Sequence, residues 1–145
     1  MKKEYKNKIH FDFSIWNYED ITHKEITHIL RIIPSKVYVK GERINPENPK
    51  ISKQNGWILK SSLDKYGSFE DQLNVMLDLL EPKIEELQML SEKHKCEFEF
   101  SLAIFILNQN ESTPWVHLNK RYNDFIRKVD VEFDFDIYYP PEDEE

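Results

Sequence analysis

Between Glu97 and Leu107 the chain reads Glu-Phe-Glu-Phe-Ser-Leu-Ala-Ile-Phe-Ile-Leu, and from Phe98 to Ile106 every second residue is large and apolar. A period of two is the signature of a strand with one face on a core. The residues in between change from Glu97, Glu99 and Ser101 to Ala103, Phe105 and Leu107. One half should therefore meet water and the other half be buried on both sides, as in a central strand running under a cover. Two further segments repeat its acidic half, Phe11-Asp12-Phe13-Ser14-Ile15-Trp16 and Phe133-Asp134-Phe135-Asp136-Ile137-Tyr138.

The remaining segments fall around these three. Ile9 to Trp16 reads as a first strand. Thr22 with Glu25 makes a capping box, followed by the apolar stripe Ile26, Ile29, Leu30 and Ile33 of a helix that Pro34 stops. Lys36 to Lys40 alternates again, and Trp57 to Lys60 answers it across a gap much longer than a hairpin needs. Ser68 and Asp71 open the main helix, with Phe69, Leu73, Met76, Leu77 and Leu80 at helical spacing and a kink or restart at Pro82. After the central strand, Trp115 to Leu118 reads as a short returning strand. Asn119 caps a third helix, and Val131 to Tyr139 forms the last strand.

This order predicts an α+β fold: a mostly antiparallel five- or six-stranded sheet with a ferredoxin-like β-α-β-β-α-β beginning and helices covering one face. At 145 residues, 1–145 is expected to be a single domain, with 1–7 and 140–145 frayed. The single cysteine, Cys96, provides no disulfide framework and suits a reducing cytoplasm. No apolar run approaches the length of a membrane span, and the basic N-terminus lacks the apolar stretch of a signal peptide. Twenty-seven acidic against twenty basic residues give a formal net charge of −7, which disfavours a phosphate backbone as partner and favours a basic protein.

Several chemistries lose their support at the level of spacing. His23 and His28 are five apart, unlike the four-residue spacing of helical zinc ligands, and the lone cysteine adds no paired-ligand motif. Cys96 begins a strand beside Glu97 and Glu99, which should raise its pKa rather than activate it. The three glycines, Gly41, Gly56 and Gly67, read as turn residues and make no phosphate cradle, so no common nucleotide enzyme fits and no cofactor is indicated.

Two candidate sites remain. The polar side of the alternating strands carries Asp12, Glu97, Glu99, Glu132, Asp134 and Asp136. If the three strands are neighbours, these carboxylates crowd one patch, and like charges opposite each other on a sheet are destabilising. Such a patch suits a cation, a basic partner or an acid–base pair, while spaced, solvated carboxylates on a one-sided sheet give the same pattern. The second candidate is the 40–57 loop, where Lys40 and Arg43, with Lys50 and Lys53, stand beside Trp57 and could grip an anion; Trp57 packing inward is the plainer reading. Trp16 and Trp115 are the tryptophans to watch for an exposed contact surface.

Asp20-Ile21-Thr22 with Ile26-Thr27, Ile33-Pro34-Ser35, Lys40-Gly41-Glu42, Gly56-Trp57 and Phe135-Asp136-Ile137-Tyr138 follow one another along nearly the whole chain. In that order and spacing they resemble the bacterial family of domains of unknown function numbered 4279. One departure is Leu30-Arg31, where the family tends to have a glycine after the leucine. The resemblance implies a small bacterial protein without an assigned activity and supplies no catalytic residue. The function expected first is a non-catalytic binding module, immunity-protein-like in one version, whose acidic sheet face engages a basic protein. The alternatives are a small-ligand receptor or enzyme using that face with the 40–57 loop as lid, and a homo-oligomeric structural protein.

Overall fold

A computed structural model describes residues 6–139. The three alternating segments are strands β1 (Lys8–Trp16), β6 (Glu97–Phe105) and β7 (Val131–Tyr138). With β2 (Lys36–Tyr38) and β5 (Gly56–Lys60) they form one five-stranded sheet in the order β2-β5-β1-β6-β7. The first three pairings are antiparallel and β6–β7 is parallel. Pairing β7 in parallel requires a crossover from the far end of β6. Residues 106–130 make it, with helix α4 (Lys120–Ile126) inside the crossover. Trp115 to Leu118 is therefore not a returning strand; it belongs to this irregular connection.

The 41–56 segment departs from expectation in a different way. It holds a separate two-stranded ribbon, β3 (Arg43–Asn45) with β4 (Asn48–Ile51). The Asn45 side chain closes its turn by accepting from the amides of Glu47 and Asn48 at 3.0 and 2.8 Å. The Gly41 amide to Ser52 carbonyl and the Ser52 amide to Glu42 carbonyl bonds continue the pairing below β3–β4. Turn chemistry of this Asn-Pro type is legible in the sequence.

Helix starts follow the capping side chains. Thr22 accepts from the Glu25 amide at the head of α1 (His23–Leu30), Ser68 from Asp71 at α2 (Phe69–Leu80), and Asn119 from Tyr122 at α4. Pro82 sits in a 3₁₀ turn, Glu81–Lys83, that links α2 to α3 (Ile84–His94). Helix α1 ends before Pro34, at Arg31, whose φ of 55° and ψ of 36° are left-handed. That is the conformation a glycine adopts at low cost, so this chain holds a strained arginine there.

Ile9, Phe11, Phe13 and Ile15 of β1, Phe98, Phe100, Leu102 and Ile104 of β6, and Trp57 and Leu59 of β5 share one face and the core. Phe69 of α2 meets Phe11 edge-on at 5.2 Å, and Tyr122 and Phe125 of α4 lie against Phe100 at 5.9 and 6.2 Å. Ile26 and Leu30 of α1 and Leu87 and Leu90 of α3 complete the packing. Of the ends expected to fray, 1–5 and 140–145 lie outside the described residues. Asn7 is tied down: its amide donates to Glu111 at 3.0 Å and its side-chain oxygen accepts from Leu107 and Asn108, both at 2.8 Å.

Candidate functional site

The opposite face of the sheet is where the carboxylates stand. Register and alternation put all six on it. Glu99 is opposite Ser14 on one side and Glu132 on the other; Asp12, Ser101 and Asp134 form the next row, then His10, Ala103 and Asp136. Glu97 lies opposite Trp16 at the end of the pair. Glu99, Glu132 and Asp134 are thus close neighbours across β6 and β7. Among the described residues none of the six makes an ion pair.

The two sides of this face differ electrostatically. Asp12 is opposite Lys60 on β5. Burial raises its carboxyl above the usual range, while Lys60 and then His10 pull it back. Glu99 is also raised, first by burial; the Ser101 hydroxyl, donating at 2.8 Å, opposes this, and Asp134 and Glu132 add to it. Glu97 accepts from the Asn17 side chain at 2.5 Å.

Aromatic rings bracket the carboxylates. At one end Trp16 stacks on Tyr38 of β2, centroids 5.7 Å apart, and its indole N–H donates to Ser14 at 2.8 Å. The ring lies over Gly56, where any Cβ would overlap it, so Gly56 is a strand residue that makes room rather than a turn residue. At the other end Phe105 stacks on Tyr138 at 4.8 Å, with His10 edge-on to Phe105 at 5.4 Å. Beside Trp16 the face deepens into a polar cleft of about 500 Å³, with Cys96, Glu97, Glu99, Asp130 and Glu132 in its wall.

The loop candidates do not join this face as a set. Trp57 is fully buried, and its indole donates to Thr27 of α1 at 3.0 Å, so it is a core residue and cannot grip a ligand. Lys40 pairs with Glu19 at 2.7 Å, and Arg43 is exposed on the ribbon. Trp115 is 66% exposed and stacks on His117 at 5.2 Å. Cys96 is buried and its thiol is pushed up to about 12, by burial first and then by Asp20 rather than by Glu97 and Glu99. That leaves no thiolate at neutral pH. Among the described residues no three His, Cys, Asp or Glu side chains converge to hold a metal ion, and no helix is long and apolar enough to cross a membrane.

Tyr38, Gly56 and the Phe105–Tyr138 stack are parts of the face that residue-by-residue reading misses. Each is defined by a neighbour on another strand, so no local pattern marks it. No curated protein and no solved structure matches this chain. Residues 7–140 match the family model described as a domain of unknown function (DUF4279), and the chain, with its helix-backed sheet and open acidic face, belongs to that family.

Proposed function

We propose that this protein is a non-catalytic binding module of the bacterial cytoplasm whose open, acidic sheet face engages a basic protein; an immunity-type inhibitor is one concrete form. The observation that supports it is the grouping of Glu99, Glu132 and Asp134 on adjacent strands with no cation among the described side chains to neutralise them. Like charges at cross-strand positions cost stability, and a basic partner recovers that cost on binding while the negative field speeds encounter. The strand order β2-β5-β1-β6, antiparallel throughout, further supports a ferredoxin-like core extended by the β3–β4 ribbon and by β7.

The test is capture from a lysate of cells that carry the gene, with wild type beside a variant combining Asp12→Asn, Glu99→Gln and Asp134→Asn. A basic protein retained by wild type and lost by the folded variant is the expected result. Equal capture by both removes the face from the contact surface. The cleft beside Trp16 favours a second reading, a receptor for a small organic cation held between the indole and Glu97, Glu99 and Glu132. Calorimetry with spermidine or arginine addresses it, and heat that disappears in Trp16→Ala is its expected signature.

A further inference from the structure

Strand β7 is one lateral edge of the sheet. The Ile106 amide donates to the Tyr138 carbonyl at 2.9 Å. In a regular parallel register, Phe98↔Val131 through Phe105↔Tyr138, the backbone groups of Glu132, Asp134, Asp136 and Tyr138 therefore turn toward β6. Those of Phe133, Phe135 and Ile137 turn outward, where no strand among the described residues meets them. The outward-bonding residues also carry the exposed apolar side chains. Phe133 is partly covered by Phe69 and Tyr122, but Phe135 is 49% and Ile137 55% exposed. On the opposite face of the same strand Glu132, Asp134 and Asp136 are exposed.

A long edge with unpaired backbone groups and bare apolar residues is a template for another strand. Its carboxylates decide which one. A second copy pairing β7 with β7 about a twofold axis at Asp134 would set Asp134 against Asp134 and Glu132 against Asp136. Like charges would then lie directly opposite one another. The complementary strand alternates lysine or arginine with apolar residues, basic side chains beside Glu132, Asp134 and Asp136 and apolar ones beside Phe135 and Ile137. We propose that the outer edge of β7 binds an extended partner segment of alternating basic and apolar residues, added as a sixth strand of the sheet. This rests on the acidic-face reading and specifies how the partner docks.

The probe is an end-capped eight-residue peptide alternating lysine and valine, with two derivatives N-methylated either at the valines or at the lysines. An antiparallel added strand turns its valine amides toward β7, and a parallel one its lysine amides. Loss of binding with one derivative and not the other is the expected result and fixes the strand direction. Phe135→Ser with Ile137→Thr should weaken the unmodified peptide about tenfold, and hydrogen exchange should slow at the amides of Phe133, Phe135 and Ile137. Equal binding of all three peptides, lost in Glu132→Gln/Asp134→Asn/Asp136→Asn, overturns edge addition and leaves the acidic-face reading standing. Loss with both derivatives overturns it as well, since a bonded strand has one free side. No binding of the unmodified peptide overturns the edge proposal, and the lysate capture then decides the acidic-face reading separately. Light scattering of the protein alone completes the set: a mass that doubles with concentration, and reverts in Phe135→Ser, assigns the edge to a second copy and overturns the proposal.

Discussion

Strands β1 and β7 contain nearly the same words, Phe11-Asp12-Phe13-Ser14-Ile15-Trp16 and Phe133-Asp134-Phe135-Asp136-Ile137-Tyr138, and they have opposite fates. In β1 the three apolar residues Phe11, Phe13 and Ile15 are 0–1% exposed. In β7 Phe133 is half-buried and the following Phe135 and Ile137 are about half exposed. The carboxylates diverge too: Asp12 has Lys60 opposite it, whereas Asp134 sits beside Glu99. Alternation selects the face a side chain points to. Whether that face is covered, and which charge lies alongside, depends on the strands and helices that arrive next to it.

The largest effect that could break this contrast is truncation of equivalent phenylalanines. Phe13→Ala should cost about 3–5 kcal/mol in urea unfolding, and Phe135→Ala less than about 1 kcal/mol. Comparable losses would mean that β7 is covered in solution. Next comes the aromatic end of β1. Gly56→Ala drives a methyl into the Trp16 ring and should cost about 1–3 kcal/mol, with a changed near-ultraviolet dichroism. Adding Trp16→Ala should recover part of that loss, and no recovery would place the strain elsewhere.

The smallest effect concerns charge. Glu99 is raised from its ordinary 4.5, first by burial, with Asp134 and Glu132 contributing. A folded-state pKa above the unfolded one means that its favourable contribution is complete below about 4.5 and lost as pH rises through the higher folded value. Glu99→Gln should therefore stabilise the protein near pH 7 by about 0.5 kcal/mol, and thermal melts of variant and wild type should converge on acidification below that range. A constant gap across pH would attribute the gain to packing.

Much of this was readable from spacing. The strand faces, the capping residues Thr22, Ser68 and Asn119, and the restart at Pro82 are local: period-two alternation and side chain-to-amide bonds within three residues need no distant partner. The six carboxylates were also placeable on one side of their strands. Trp57 shows where such reading ends. It lies beside four basic loop residues in the chain, yet Thr27 of α1 accepts a hydrogen bond from its indole and its ring is fully buried. The 106–119 connection shows the same limit, since Trp115-Val116-His117-Leu118 has strand-like composition yet pairs with no strand among the described residues.

Which residues of each strand face the same way, where the helices begin, and the lack of a phosphate-cradling glycine loop all follow from local pattern in the chain, because backbone geometry over a few neighbouring residues sets them. That β6 is flanked by β1 and a parallel β7, that Glu99 meets Glu132 and Asp134 while Asp12 meets Lys60, and that Trp16 rests on Gly56 emerge only in the assembled sheet. Those are contacts between residues far apart in the chain. They are fixed by which strand order buries the most apolar surface, a global balance that no local pattern encodes.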